Sequence, residues 1–183
     1  MHQDVRGHFV TTYPADPGSG AARFPVAQVS QGRSHRGVIR GIHFTSTPPG
    51  CAKLVWCSAG AAVDFVVDLR VGSPTFGQVD RVELDPGTAT IVSLPVGVGH
   101  AYQATEDDTV ITYLLSTGYV AGNEQALTVH DPDLGLALPL PGGGPMSARD
   151  LAAPTLRAWQ AGGGLPDYPT CVRLDEELRA RAG

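Results

Sequence analysis

Residues 37–44 of the chain read Gly-Val-Ile-Arg-Gly-Ile-His-Phe. The apolar and β-branched residues of this stretch are typical of a β-strand, and its glycines allow a backbone or a ligand to approach closely. Arg40 and His43 nevertheless lie inside the apolar pattern. Because charged side chains are rarely buried without a partner, we interpret the stretch as a strand that meets a ligand, with His43 as the central candidate for function.

This strand belongs to a longer series of short β-rich segments between Val26 and Leu115. Turn signals rich in proline and glycine separate the segments, and they occur at residues 47–50, 72–74 and 85–87. Short strands at regular spacing predict an all-β fold, a sandwich or barrel of antiparallel strands.

The chain changes in character after this β-rich region. Two short helices are predicted at about residues 154–161 and 175–181, separated by a glycine-rich break at 162–166. We expect these helices to close or flank the sheet. Residues 14–22, which are rich in Pro, Gly, Ser and Ala, are predicted to form a loop near the N-terminus.

The size of the chain sets the domain organisation. A length of 183 residues with 42% hydrophobic content fits one domain with a single core. We predict one domain over residues 1–183, with its core at about 25–140 and a C-terminal helical extension at about 147–183.

The charge distribution argues against nucleic acid and membranes as partners. The formal net charge is −5 and the basic residues are scattered singly, so the sequence lacks the basic patch that an anionic polymer or surface requires. Asp64, Asp68 and Arg70 interrupt the apolar runs before they could span a bilayer, and the first residues form no apolar leader. The three cysteines form no Cys-x-x-Cys pair, which favours a reducing compartment. We predict a cytoplasmic protein that binds a small molecule or another protein.

Alternation along the strands predicts which side chains share a face. Lys53 shares a face with Val55, and Tyr113 shares a face with Ile111. Both polar side chains can therefore point into a barrel interior among apolar neighbours.

Arg40 and His43 are a problem for the same rule. They are three residues apart, and regular alternation sends them to opposite faces. A bulge at Gly41 would re-aim one of them. Without a bulge the two side chains do not share a site, and the sequence leaves both alternatives open.

His43 itself can be a general base, a strand histidine that binds a backbone carbonyl, or a metal ligand. A metal site in a β-barrel of this size needs a His-x-His pair with a nearby carboxylate, and the residues around His43 lack that pair. His100 is a second candidate ligand, but two histidines without a placed carboxylate form an incomplete site. We predict no metal.

Asp150 ends a Ser-Ala-Arg-Asp run that has the form of a helix cap. A helix that begins at Ser147 would place Pro154 in its interior, where proline removes a hydrogen bond and costs about 3 kcal/mol. We therefore expect the helix to begin near Pro154. The Asp150 side chain is then free to reach another part of the fold.

Seven groups of residues carry a resemblance to a known family. They are Gly-Val-Ile-Arg-Gly-Ile-His-Phe at 37–44, Ala-Lys-Leu-Val at 52–55, Asp-Leu-Arg-Val-Gly-Ser-Pro-Thr-Phe-Gly at 68–77, Leu-Pro-Val-Gly-Val-Gly-His at 94–100, Thr-Tyr-Leu at 112–114, Asp-Pro-Asp-Leu-Gly at 131–135 and Ser-Ala-Arg-Asp at 147–150. In this order they resemble the dTDP-4-dehydrorhamnose 3,5-epimerase family over about residues 4–155. The Thr-x-x-Pro-Pro-Gly at 45–50 is similar to actinobacterial members that epimerise sugars destined for antibiotics.

The resemblance implies a cupin-like jelly-roll barrel with short C-terminal helices, and a homodimer without a metal or another cofactor. The implied substrate is a dTDP-linked 4-keto-6-deoxysugar, whose C3, C5 or both are inverted. The family's base corresponds to His43 and its orienting carboxylate to Asp150. The lysine near the keto oxygen corresponds to Lys53, and the acid corresponds to Tyr113.

Binding residues are also implied by the resemblance. The positions that line the substrate or nucleotide site are Arg40, Gln28, His100, Tyr119 and Glu124. Arg6 corresponds to an arginine that meets the diphosphate, commonly from the partner subunit.

Two functions of other classes remain as alternatives. A non-catalytic cupin that binds a sugar nucleotide would keep Arg6 and Arg40 but would not need His43, Asp150 and Tyr113 together. A metal-dependent cupin oxygenase or isomerase would need a bound metal for activity.

Overall fold

A computed structural model describes residues 2–13 and 23–182. The predicted loop at 14–22 lies outside the described residues. The strands are β1 (His2–Asp4), β2 (Gly7–Phe9), β3 (Gln28–Ser34), β4 (Ile39–Thr45), β5 (Lys53–Ala59), β6 (Ala62–Asp68), β7 (Val79–Leu84), β8 (Val92–Leu94), β9 (Val98–Ala104), β10 (Thr109–Leu115) and β11 (Glu124–Ala126). The helices are α1 (Ala148–Leu151), α2 (Leu156–Gly162) and α3 (Tyr168–Arg181), and a 3-10 turn covers Ala121–Asn123.

Two antiparallel sheets form a jelly-roll-like sandwich. One sheet has the order β3-β10-β5-β8, and the other has the order β11-β4-β9-β6-β7. Strands β1 and β2 form a separate hairpin. The predicted all-β jelly roll with short C-terminal helices is thereby confirmed.

The space between the sheets is filled by side chains from both of them. Val55 and Ile111 of the four-stranded sheet pack in one cluster with Leu84, Val98 and Tyr102 of the five-stranded sheet. Alternating side chains on each strand point to this interior, so the opposite faces need covering elements of their own.

The C-terminal part of the chain covers both outer faces. Phe44 and Phe65 of the five-stranded sheet pack in one cluster with Leu127 and Leu156. On the other sheet, Leu54 and its neighbours pack against α3. Because both faces are covered at the middle of each sheet, the central strands β5, β6 and β9 are buried over most of their length. No helix within residues 2–13 and 23–182 is both long enough and apolar enough to cross a membrane.

Strand β4 is irregular near Gly41, where the sequence left open whether a bulge brings Arg40 and His43 to one site. Its pairing with β9 shifts between Arg40 and His43. Gly41 lies at this shift with φ of +109°, and a Cβ atom there would lie 2.7 Å from the Ala101 Cα. Only glycine combines this backbone conformation with so close an approach. The bulge alternative is therefore the one that the structure adopts.

The structure corrects the expectation that no helix begins at Ser147. The Ser147 side chain accepts a hydrogen bond from the Asp150 N–H and caps α1. Helix α1 ends at Leu151, so Pro154 never enters its interior. The penalty that we assigned to proline therefore does not arise, and the Asp150 side chain still points away from the helix to the sheet.

The other predicted helices are present, one with a different start. Helix α2 agrees with the patch predicted at 154–161, and the Thr155 side chain caps it. Helix α3 begins at Tyr168 rather than at Asp175. Asp167 provides its cap, and a proline in the first turn is compatible with a helix because no intrahelical bond is lost there.

Asp68 holds together the turn that follows β6. Its carboxylate accepts hydrogen bonds from the Arg70 Nε at 2.8 Å, the Ser73 Oγ at 2.6 Å and the Thr75 Oγ1 at 2.6 Å. The Arg70 guanidinium also lies over the Tyr168 ring at 5.0 Å, which connects this turn to α3. Burial alone would raise the pKa of Asp68, but these hydrogen bonds lower it well below its usual range.

Asp68→Asn should lower the free energy of unfolding by about 3 kcal/mol at neutral pH, because it leaves the half-buried Arg70 without its counter-ion. A carboxyl whose pKa is lowered by folding stabilises the protein above its unfolded pKa of about 4 and loses that effect as the pH falls. The difference between wild type and variant should therefore shrink below about pH 4. Urea unfolding at several pH values measures this difference in the free energy of unfolding.

Asp4→Asn is a matched control for this variant. Asp4 and Arg6 have the same spacing as Asp68 and Arg70, but their side chains are 49% and 86% exposed rather than 8% and 14%. Surface pairs contribute little, so Asp4→Asn should leave the unfolding midpoint unchanged. Equal effects of the two substitutions would contradict the role assigned to burial.

Candidate active site

A cleft at the sandwich interior contains most of the candidate residues. It consists of three adjoining cavities of about 500, 230 and 180 Å³. The first two share Arg40 and His43, and the second and third share Lys53, Tyr113 and Glu124. The shared linings make the cavities one continuous cleft, large enough for a ligand that extends beyond a single ring.

His43 and Asp150 form a hydrogen-bonded pair on one wall. The His43 Nε2 lies 2.7 Å from the Asp150 Oδ1, and the two side chains are 26% and 3% exposed. Burial alone would raise the pKa of Asp150, but the hydrogen bond and charge of His43 outweigh it. Hydrogen bonds from Ser147 and the Gly41 N–H act in the same direction, so this pKa lies below its usual range. An ionised carboxylate then orients the imidazole, whose other nitrogen can accept a proton.

The local backbone explains how this pair forms. The shift in β4 at Gly41 lets Arg40 and His43 line the same cleft although they are three residues apart. Helix α1 packs next to β4, and its Ser147 cap fixes the backbone at Asp150. The pair therefore depends on a bulge and a cap that are far apart in the chain.

Lys53 and Tyr113 lie on the four-stranded sheet and line the same cavity as His43. The Lys53 Nζ lies 3.9 Å from the Glu124 Oε2, and both side chains are less than a fifth exposed. The other oxygen of Glu124 accepts a hydrogen bond from the Thr45 Oγ1 at 2.9 Å. These contacts hold the Lys53 side chain at the wall of the cavity that Tyr113 also lines.

The environment of Tyr113 keeps its hydroxyl protonated. Burial raises its pKa well above the usual value, and the negative charge of Asp64 adds to this effect. The positive charge of Arg40 opposes it only in part. A neutral phenol at neutral pH can donate a proton to a strong base such as a carbanion.

His100 forms a second histidine–carboxylate pair, deeper in the fold. Its Nε2 lies 2.5 Å from the Asp64 Oδ2, and Asp64 is fully buried. Within the described part of the chain, the Asp64 Oδ1 has no hydrogen-bond partner. The His100 ring meets the Tyr113 ring edge-on, with centroids 5.9 Å apart. His100 is thus fixed in orientation beside Tyr113.

Three further predicted residues lie at the rim of the cleft. Arg40 is exposed and lines two of the cavities, and Tyr119 is also exposed and lines two. The Gln28 Oε1 accepts a hydrogen bond from the Tyr119 N–H at 2.8 Å. The rim therefore combines a guanidinium with an aromatic ring, groups that suit an anion and a flat base.

Arg6 does not join the other predicted residues. It lies on the β1–β2 hairpin, where it is paired with Asp4 and its side chain is 86% exposed. None of the three cavities includes it in its lining. Within one chain, the described structure therefore leaves Arg6 apart from the cleft.

Sequence reasoning did not single out several residues of the site. They are Ser34, Asp64, Tyr102 and Arg149. Asp64 and Tyr102 lie in strands whose other residues are almost all buried. A polar residue in a buried strand needs a partner, and this pattern could have identified both residues from the sequence. Arg149 lines the largest of the three cavities, with its Nε 3.6 Å from the Asp150 Oδ1.

The arrangement suits proton transfer at a carbon atom. One wall carries a histidine oriented by a carboxylate, and the other wall carries a protonated phenol and a lysine. Among residues 2–13 and 23–182, no group of three His, Cys, Asp or Glu side chains is placed to hold a metal ion. The polar groups of the cleft instead face one another across a space where a substrate would lie.

Comparisons with known sequences agree on one family. The sequence model described as dTDP-4-dehydrorhamnose 3,5-epimerase matches residues 1–158. A dTDP-4-dehydrorhamnose 3,5-epimerase from Streptomyces griseus is 41% identical over 180 residues, which are 97% of this chain and 90% of that protein. A dTDP-4-dehydro-6-deoxyglucose 3-epimerase from Streptomyces bikiniensis is 47% identical over 145 residues, which are 79% of this chain and 74% of that protein.

Solved structures give the same result. The rmlC epimerase of Mycobacterium tuberculosis has a TM-score of 0.91 and 36% identity, covering 97% of this chain and 91% of that one. The 3'-monoepimerase ChmJ from Streptomyces bikiniensis, in complex with dTDP-quinovose, has a TM-score of 0.90 and 40% identity, covering 98% and 91%. The epimerase NovW, from the novobiocin gene cluster of Streptomyces spheroides, has a TM-score of 0.87 and 40% identity, covering 93% and 86%.

Proposed function

The chain belongs to the dTDP-4-dehydrorhamnose 3,5-epimerase family, and from that membership we propose that it is an isomerase of a dTDP-linked 4-keto-6-deoxysugar. It inverts C3, C5 or both, and serves deoxysugar biosynthesis of the kind that supplies antibiotics. The observation that carries this proposal is the oriented His43–Asp150 pair in the same cleft as Tyr113 and Lys53. Inversion needs a base and an acid on opposite sides of one carbon, and this cleft offers both.

His43 removes the proton from the carbon next to the ketone. Asp150 holds the imidazole in one tautomer and stabilises the imidazolium that forms, as its 2.7 Å contact allows. A positioned base of this kind contributes about 10²–10⁴-fold to the rate. The bulge at Gly41 keeps the His43 ring at the substrate side of the strand.

Lys53 stabilises the negative charge that develops on the ketone oxygen. A C–H next to a ketone becomes acidic only when the enolate is stabilised, and each placed donor contributes about 10²–10³-fold. Lys53 is buried beside Glu124, so its charge acts in a partly dehydrated site. His100, fixed by Asp64, is the second donor.

Tyr113 returns a proton to the opposite face of the carbon. The C–H bond broken by His43 and the bond formed from the Tyr113 hydroxyl lie on different faces, so the centre inverts. The electron pair of the broken bond returns to carbon from the enolate, and no electrons leave the substrate. The reaction as proposed requires no redox cofactor.

The remaining predicted residues bind the nucleotide sugar. Arg40 and Tyr119 suit the diphosphate and the thymine at the rim, and Gln28 and Glu124 hold the walls beside them. Arg6 meets the diphosphate from the partner subunit of a homodimer. The exposure of Val5 and Phe9 on the same hairpin supports this placement, because apolar side chains on a small hairpin need a surface to cover them.

We place the whole activity in one cytoplasmic domain of residues 1–183. The cleft draws residues from both sheets and from α1, so the helical extension contributes to the same site as the β-core. A β-core without residues 147–150 would lack the carboxylate partner of His43.

Deuterium exchange tests the proposed function. The probe is dTDP-4-dehydro-6-deoxyglucose, the sugar in the name of the Streptomyces bikiniensis relative, incubated with the protein in D₂O and followed by proton NMR. Protein-dependent loss of the C3 or C5 proton signal is expected, and it identifies the carbon. Binding of the nucleotide without any exchange would instead favour a non-catalytic sugar-nucleotide-binding protein.

A further inference from the structure

Strand β3 carries a glycine, Gly32, where its inner face borders the cavity of the candidate base and acid. Side chains alternate along a strand, so Ser30, Gly32 and Ser34 share one face. Gly32 lines the cavity of about 230 Å³ together with His43 and Tyr113. The wall that β3 offers to a ligand is therefore made of small residues.

Neither the backbone conformation nor the packing requires a glycine at this position. The φ angle of Gly32 lies outside the left-handed region. Of the described atoms beyond its chain neighbours, only the Tyr102 hydroxyl would lie within 4 Å of a Cβ atom at Gly32, at 3.7 Å, which is an ordinary van der Waals contact. Gly41 and Gly99 differ, because a Cβ atom on either would lie within 2.8 Å of packed neighbours. The missing side chain of Gly32 thus leaves open space.

A glycine inside a strand needs a reason. It packs against nothing and loses more conformational freedom on folding than other residues, so it weakens the strand. Close approach of another backbone or of a ligand is the usual reason. In the described structure, the atom that faces Gly32 belongs to a side chain and not to a backbone. Because Gly32 also lines the cavity, a ligand is the partner that fits.

The order of residues along the sheet indicates which part of the sugar reaches Gly32. Lys53 pairs with Leu115 of β10. Gly32 pairs with Ile111, further along the same strand. Tyr113 lies midway between these two pairs and shares their inward face. Gly32 is therefore beyond Tyr113 on the side away from Lys53.

The proposed reaction places the ketone oxygen on C4 at Lys53 and the inverted carbon at Tyr113. When C3 is inverted, the next ring carbon away from the ketone is C2. Its substituent then faces Gly32, while C1 and the nucleotide extend to the rim at Arg40 and Tyr119.

We propose that Gly32 is a specificity-determining residue, whose missing side chain accommodates the hydroxyl group on C2 of the sugar. The inference rests on the proposed epimerase function. The Tyr102 hydroxyl forms the polar end of this space, with Tyr102 only 1% exposed and its oxygen 3.0 Å from the Ser34 Oγ. A phenol can both donate and accept hydrogen bonds, so Tyr102 can bind the C2 hydroxyl as well as Ser34.

Inversion at C5 alone would give a different result. The ring atom beyond C5, counted from the ketone, is the ring oxygen, which carries no substituent. The space at Gly32 would then stay unfilled. A methyl group in that space would affect sugars with and without a C2 hydroxyl equally.

Gly32→Ala tests the inference with two sugars. The probes are dTDP-4-dehydro-6-deoxyglucose and its 2-deoxy counterpart, dTDP-4-dehydro-2,6-dideoxyglucose, mixed in D₂O so that they compete for the same enzyme. Proton NMR of their C3 signals gives the ratio of the two kcat/KM values. We expect Gly32→Ala to lower the ratio of the 2-hydroxy to the 2-deoxy sugar about tenfold, because the added methyl group occupies the place of the hydroxyl. Gly32→Ser, which adds one more atom, should lower the ratio further.

Gly122→Ala is the matched control. A Cβ atom at Gly122 would meet no described neighbour within 4 Å apart from its own turn, and Gly122 lies outside the cleft lining. The same methyl group is therefore added in open space. This variant should keep the wild-type ratio and both individual rates.

Each outcome decides the inference. An unchanged ratio in Gly32→Ala overturns it, whether or not both rates fall together, and the epimerase function still stands. Exchange confined to C5, or a wild type that prefers the 2-deoxy sugar, also overturns it. If the 2-deoxy sugar binds without exchange, its inhibition constant replaces its rate in the ratio. If wild type exchanges neither sugar, the proposed function fails, and the inference fails with it.

Discussion

His43→Asn is expected to abolish deuterium exchange into dTDP-4-dehydro-6-deoxyglucose while dTDP still binds. The asparagine keeps a polar group near Asp150 but cannot accept a proton at neutral pH. The expected loss is about 10²–10⁴-fold, the usual contribution of a positioned base. Proton NMR in D₂O gives the exchange rate, and calorimetric titration with dTDP shows whether the nucleotide site survives.

A second histidine provides the control for this variant. His35 also lies near a carboxylate, with its Nδ1 3.8 Å from the Asp107 Oδ1, but both side chains are largely exposed and outside the cleft lining. His35→Asn should exchange deuterium at the wild-type rate. Wild-type exchange in His43→Asn would remove His43 from the role of base.

Tyr113→Phe is expected to abolish inversion and to leave deuterium exchange. His43 can still take the proton and return a deuteron from solvent to the same face, so the label enters without a change of configuration. Loss of the acid should lower inversion by about 10²–10⁴-fold. The measurement compares the rate of label entry with the rate at which the inverted sugar accumulates.

Tyr13→Phe is the matched control for the loss of a phenol. The Tyr13 hydroxyl donates to the Phe24 carbonyl oxygen at 3.0 Å, outside the cleft lining. This variant should keep both rates. If Tyr113→Phe inverted its substrate as fast as wild type, another group would have to be the acid.

The strand pattern was the most predictable part of this molecule. Short β-rich segments with proline and glycine between them predicted the sandwich, because turn chemistry is local. Helix α3 begins earlier than the charges at Asp175 predict, because the Asp167 side chain caps its first turn. The short helix capped by Ser147 differs from the prediction because it ends at Leu151, before Pro154 could enter it.

The site was predictable only in part, since alternation alone could not decide whether Arg40 and His43 meet. The answer depends on how closely β9 approaches Gly41, which is a contact between distant segments. Family resemblance supplied the partners of His43. It did not supply Asp64 or Tyr102, because their roles follow from neighbours across the fold rather than from their own sequence context.

The two walls of the cleft belong to different sheets, and this has a consequence for engineering. The span between the proposed base and acid is set by the apolar layer between the sheets, which lie about 10 Å apart in packed sandwiches. Val55, Ile111, Leu84 and Val98 form part of that layer. A directed-evolution library that seeks a different stereochemical outcome should therefore randomise these core positions together with the residues that touch the sugar.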